Sequence, residues 1–168
     1  QKATTLKVNT TTAGLEYACT LVSVTTAPTT GWQDHNATDG VTFTGLTPAT
    51  QYKIWVRVKA ASPVPESLAK STYVYTKPAT PSAPTDVTTT HNSITIDNSN
   101  SAYEYIVSTL DLSTTLSGWT SETGTSLVFT KTYLGADLTP ATGYKIWVRV
   151  KAVTGGAPAS DLASTTIY

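Results

Sequence analysis

The residues of this 168-residue chain best suited to chemistry stand in one stretch that occurs twice. Tyr52 to Ala60 and Tyr144 to Ala152 both read YKIWVRVKA. If extended, the stretch sends Tyr, Ile, Val, Val and Ala to one face and Lys, Trp, Arg and Lys to the other, because side chains alternate along a strand. The first set suits a core. The second places Lys53, Trp55, Arg57 and Lys59, and again Lys145, Trp147, Arg149 and Lys151, on an outer face. An indole between cations can serve three ends. Lys or Arg can lie over the ring, a cation–π contact worth roughly 0.5–1 kcal/mol at an exposed site, while their alkyl stems shield it. The indole can anchor a contact between modules or chains, since Trp and Arg concentrate at interface centres. Its flat face can also stack on a sugar ring. The first use stiffens the sheet; the other two make Trp55, Arg57, Lys53, Trp147, Arg149 and Lys145 an interaction surface. A sugar site needs Asp, Asn or Gln beside the ring to fix orientation, and the neighbours here are cations.

Elsewhere the reactive side chains are scattered. The histidines, His35 and His91, occupy non-equivalent places and have no partners spaced for a triad or a metal site; both read as solvated loop residues. No nucleophile elbow, phosphate-binding loop, zinc-protease motif or paired-cysteine motif is present. The nearest approach to an ion loop is DHNATDG at 34–40, whose Asp34, Asn36, Thr38 and Asp39 offer oxygens. Its spacing misses the calcium-loop order and lacks the closing Glu, so a polar turn is the expectation there. The equivalent TSETGTS at 120–126 is poorer still. Asn9 and Asn36 each begin an Asn-x-Thr glycosylation pattern at an expected turn. Cys19, the single cysteine, falls among the inward residues of LEYACT and reads as a small buried apolar group. No catalytic residue, metal or cofactor is expected.

Composition points to strands. Thr makes up about a fifth of the chain, and this β-branched residue favours half-exposed strands over helices. No apolar 3.6-residue period persists over three turns, so the chain reads as all-β. Eleven cations balance eleven acids, which argues against a nucleic-acid partner. No apolar run approaches the ~18 residues of a membrane span, so no membrane insertion is expected. The chain has no Met, which suits a mature secreted product or a piece of a longer polypeptide.

The duplication extends well past the opening stretch. LTPATQYKIWVRVKA (46–60) and LTPATGYKIWVRVKA (138–152) differ only at Gln51 and Gly143. LEYACT (15–20) parallels YEYIVS (103–108), TLKV (5–8) parallels SITI (93–96), and STYVY (71–75) parallels STTIY (164–168). GW recurs at 31–32 and 118–119. The one notable length change is KTYLGAD (131–137) against Gly45. The chain is therefore two copies of one module, each a series of short alternating runs broken by turn residues, the pattern of a β-sandwich. The expected division is a first module at 1–76, a short proline-rich linker at 77–83 and a second module at 84–168. Three prolines in KPATPSAPTD stiffen the connection.

The stretch L-T-P-A-T-x-Y followed by V-R-V-K-A resembles the E–F corner and F strand of fibronectin type III domains. The resemblance implies two tandem fibronectin type III or immunoglobulin-like β-sandwiches. It makes Tyr52 and Tyr144 corner tyrosines, set by Pro48 and Pro140, with hydroxyls that satisfy backbone groups just upstream. More narrowly, the repeats are similar to tandem modules of Gram-positive bacterial surface and secreted proteins. That implies an extracellular, non-catalytic structural or adhesive role: a spacer, a stalk or a fibre subunit. Its partners would be proteins, either neighbouring repeats or identical chains. An accessory carbohydrate-binding module of a polysaccharide-degrading enzyme is the rival. The family's B-strand tryptophan is absent, Asp97 following Ile96, and Trp32 and Trp119 are candidates to fill the core in its place.

Aligning the copies exposes one asymmetry. Gln1 corresponds to about Thr89, so the first module has no counterpart of PSAPTDVTT (81–89) and is expected to lack its first strand. Three origins are open: excision from a longer array, a harmless open edge, or a filament subunit completed by a strand from a neighbouring chain.

Overall fold

The computed structural model describes residues 1–109, 116–121 and 124–168, and among these residues every regular element is a strand. The chain divides into two compact units. The first holds β1 (Leu6–Val8), β2 (Leu15–Leu21), β3 (Gln33–Asp34), β4 (Val41–Phe43), β5 (Gln51–Val58) and β6 (Lys70–Tyr75). The second holds β7 (Val87–Thr89), β8 (Ile94–Ile96), β9 (Tyr103–Thr109), β10 (Thr120–Ser121), β11 (Leu127–Phe129), β12 (Tyr144–Val150) and β13 (Ala163–Ile167).

Each unit is a β-sandwich, and the second is the fuller one. Its strands form a three-stranded sheet in the order β11-β8-β7 and a four-stranded sheet in the order β10-β9-β12-β13, all pairs antiparallel. The inward residues of both sheets meet in one core. Ile94, Ile96, Leu127 and Phe129 come from the smaller sheet; Tyr105, Val107, Tyr144, Ile146 and Val148 come from the larger. Period-two alternation accounts for this: β12 buries Tyr144, Ile146 and Val148 and leaves Lys145, Trp147 and Arg149 less covered.

The first unit repeats the larger sheet, in the order β3-β2-β5-β6, but reduces the smaller one to β1-β4. Among residues 1–78 no strand pairs with the second edge of β1. The tight turn before β1, where the Lys2 amide donates to the Thr5 carbonyl, matches the one before β8, where Thr90 donates to Ser93. The core is thinner as a result. Tyr17, Val41 and Phe43 are buried in it, while Val8, Leu15, Cys19, Ile54 and Val56 pack against it only half-buried.

Between β6 and β7 lie residues 76–86, with neither helix nor strand. The seven-residue KTYLGAD stretch forms a small hairpin of its own. Thr132 and Gly135 close its turn, and Lys131 pairs with Asp137 at 3.2 Å. No helix among the described residues is long and apolar enough to cross a membrane.

Candidate functional site

Register decides what surrounds the outer-face cations. Antiparallel pairing of β2 with β5 sets Glu16 opposite Arg57, Ala18 opposite Trp55 and Thr20 opposite Lys53. The same pairing of β9 with β12 sets Glu104 opposite Arg149, Ile106 opposite Trp147 and Ser108 opposite Lys145. Residues directly opposite share a face, so acid meets cation in both units, and the hydroxyl residue opposite each Lys stands diagonal to the indole.

The contacts follow. Arg57 Nε donates to Glu16 Oε1 at 2.6 Å, and Arg149 makes the same bond to Glu104. Trp55 Nε1 donates to Thr20 Oγ1 at 2.8 Å, and Trp147 Nε1 to Ser108 Oγ at 2.9 Å. Lys53 Nζ lies 5.5 Å from the Trp55 ring centre and 5.7 Å from that of Tyr73, and Lys145 Nζ lies 4.6 Å from the Trp147 ring. The arginines turn to other rings. Arg57 stacks on Trp32 at 4.1 Å and Arg149 on Trp119 at 4.0 Å.

Each unit thus carries a ladder of alternating rings and cations across its outer face. In the first unit it runs Trp32, Arg57, Trp55, Lys53 and Tyr73; in the second it runs Trp119, Arg149, Trp147 and Lys145. Two expectations are corrected. Trp32 and Trp119 do not fill the cores: the ladder holds them on the outside, where each indole N–H donates to a nearby carbonyl, Pro28 O or Leu116 O. An arginine guanidinium is planar and weakly hydrated, so a flat indole satisfies it better than solvent does.

The second correction concerns exposure. Trp55 is on the outer face but only 6% exposed, and Trp147 is half-buried. The chain between β2 and β3 folds against the sheet there, and Lys53 Nζ donates to the Val24 carbonyl at 2.6 Å. Glu16 and Lys53 are buried too. The six residues read from the sequence as an interaction surface are therefore brought together in two sets of three, and their indole and guanidinium groups are engaged within the unit. Sequence reasoning overlooked the rungs supplied by Trp32 and Trp119, although GW recurs at one place in each copy. It also overlooked Thr20 and Ser108, hydroxyl residues repeated at one register position.

The corners show a second repeated device. The Thr47 amide donates to the Tyr52 hydroxyl at 2.9 Å, and Thr139 to that of Tyr144 at 2.8 Å. Each corner follows a proline, Pro48 or Pro140, with an alanine in the left-handed region, Ala49 at φ 50 and Ala141 at φ 55. Tyr17 and Tyr105 do the same at the preceding turn, accepting from Thr12 and Asn100. In all four cases the donor is five residues upstream. Each such bond contributes about 1 kcal/mol and ties the turn to the strand that follows it.

The candidate ion loop is a turn. Asn36 Oδ1 accepts from the amides of Thr38 and Asp39, and Asp34 pairs with Lys59 at 2.6 Å. Its counterpart in the second unit includes Glu122 and Thr123, which lie outside the described residues. His35 is half-buried, not solvated, with Nδ1 2.8 Å from Thr11 Oγ1; His91 is exposed. Among the described residues no group of three or more His, Cys, Asp or Glu gathers to hold an ion.

No protein-family model matches the sequence, and no curated protein matches it. Among solved structures, it is similar to a two-domain fibronectin type III segment of chicken tenascin. The identity is 15%, covering 99% of this chain and 93% of that one, with a TM-score of 0.39. It is also similar to the FN1–FN3 domains of chicken CNTN1, at 18% identity and a TM-score of 0.37, covering 92% of this chain and 56% of that one.

Proposed function

We propose that this chain is a non-catalytic structural repeat of an extracellular bacterial surface protein or fibre, acting as a spacer, stalk or assembling subunit. The observation that carries this reading is the duplicated ladder. In both units the side chains with most binding potential, the indoles and guanidiniums, are engaged in holding one sheet rigid. Cation–π contacts and charge-assisted bonds tie β2, β5 and β6 together in the first unit and β9 to β12 in the second, and resist shear between them. A rigid, doubled module with its polar chemistry turned on itself suits load-bearing or spacing work. Its partners on this reading are other proteins, neighbouring repeats or identical chains. An indole at 6% exposure leaves little face for a sugar ring.

Affinity electrophoresis of the 168-residue chain through gels containing plant, fungal and bacterial polysaccharides tests the reading. The expected result is unchanged mobility in every gel for the parent chain, Trp55→Ala and Trp147→Ala alike. Retardation of the parent that disappears in either variant would overturn it in favour of the carbohydrate-binding rival.

A further inference from the structure

The larger sheet of each unit ends on two unlike edges. One edge strand is very short, β3 (Gln33–Asp34) or β10 (Thr120–Ser121); the other is longer, β6 (Lys70–Tyr75) or β13 (Ala163–Ile167). Short edge strands resist stray pairing, and the longer pair lacks that protection. Among the described residues β6 is paired by β5 and by no other strand, and β13 by β12 alone. The second unit has a three-stranded smaller sheet and still leaves β13 open, so the open edge belongs to the module's topology.

Backbone alternation fixes what β6 offers at that edge. The Thr76 amide donates to the Thr50 carbonyl, and the Val22 amide to the Gln51 carbonyl. Bonded pairs alternate along an antiparallel ladder, so Tyr52, Ile54 and Val56 bond to Val74, Thr72 and Lys70. The amides and carbonyls of Ser71, Tyr73 and Tyr75 therefore point to the open edge. Their side chains share the outer face with Trp55, Lys53 and Gln51, and none of the three is charged. Tyr73 is 61% exposed and forms the last ring of the ladder, 5.7 Å from Lys53 Nζ. In the second unit Thr166 holds that place and the ladder stops at Lys145. Lys70, the one charge on β6, faces inward at the start of the strand.

We propose that β6 is a docking edge for the β6 of a second copy of this chain, joining the two larger sheets into one. The register follows from the row itself. A two-fold axis at Tyr73 sets Tyr73 against Tyr73 and Ser71 against Tyr75. Every outward-pointing residue of both copies then enters a bonded pair, with roughly six main-chain bonds in all. Bonded partners stand about 5.5 Å apart at Cα, a spacing at which two tyrosine rings pack. The ladder of one copy thus runs through Tyr73 into that of the other, while Thr72 meets Val74 on the inward face. Lys70 falls outside these pairs, and a chain of zero net charge meets no long-range repulsion. Antiparallel pairing sends residues 76–86 of the two copies off at opposite ends of the shared sheet. A second copy fits better than an arbitrary strand because the row complements itself: ring on ring at the axis, hydroxyl beside ring on either side. The inference rests on the assembling-subunit form of the function proposed above and names its contact.

Sedimentation equilibrium of the 168-residue chain, from micromolar to millimolar concentration, is expected to show a monomer–dimer equilibrium. Tyr73→Lys and Tyr73→Glu each place like charges on the axis and should stay monomeric. An equimolar mixture of the two should dimerise, and that rescue shows both variants folded. Thr166→Lys, the same change on β13, should dimerise as the parent does. Amide exchange at Ser71, Tyr73 and Tyr75 should slow several-fold as the dimer forms, while Thr72 and Val74, already bonded to β5, change little. A dimer that survives Tyr73→Lys would overturn the proposal, as would one lost in Thr166→Lys. A chain monomeric at millimolar concentration would also overturn it, leaving intact the spacer reading that the polysaccharide gels test separately.

Discussion

Cys19 and Val107 occupy the same place in the two copies, and the comparison shows how one residue registers its surroundings. Val107 is fully buried; Cys19 packs against a thinner core and is half-buried. Even so, burial pushes its thiol from 9.0 up to about 11, because the thiolate loses solvation. A raised folded value means that the folded chain holds the proton more tightly than the unfolded one. The resulting stability is fully present below about pH 9 and is lost as pH rises through about 11. Cys19→Val, which installs the residue of the other copy, is expected to change stability at pH 7 by less than about 1.5 kcal/mol. It should also remove part of the decline between pH 9 and 11, as read by urea unfolding across that range. An unchanged alkaline decline in the variant would assign it elsewhere. At this scale the inward position of Cys19 was legible from alternation alone. The coverage of Trp55 was not, because alternation reports a side chain's face and not what folds over that face.

At the scale of elements, the β1–β4 pair is the point where the first unit depends on a single close approach. Gly40 precedes β4 with φ +67, and a Cβ there would lie 2.2 Å from the Val8 carbonyl oxygen. Gly45 just after β4 has a similar φ of +71 but open space around it. Gly45→Ala should therefore cost only the left-handed penalty of about 1–2 kcal/mol. Gly40→Ala should cost more, because β1, the strand paired with β4, must move. Chemical denaturation of the full chain distinguishes the two variants, and equal losses would show that the approach of β1 is not what requires Gly40. The strand β1 was legible through the match of TLKV to SITI. The need for glycine at position 40 was not, because it arises from a backbone oxygen more than thirty residues away in sequence.

At the scale of the whole molecule, the two copies share their outer ladders and corners but are unequal in their cores. The first unit has a two-stranded smaller sheet and a stripe of half-buried aliphatics; the second has three strands and a continuous core. Amides open locally in proportion to such cover. Native-state hydrogen exchange should therefore find the β1 and β4 amides exchanging faster than those of β8 and β11, and uniform protection across the two would contradict the inequality. The sequence by itself determined the all-β class, the duplication and the face each strand residue takes. All of these follow from period-two geometry and from aligning the chain with itself. Only the tertiary structure decided that Trp32 and Trp119 stack outside, that Trp55 is covered, and that Val8, Ile54 and Val56 stay half-buried. Those outcomes depend on which distant strands lie side by side and on how the loops return across them, and neither is recorded in the spacing of residues along a single strand.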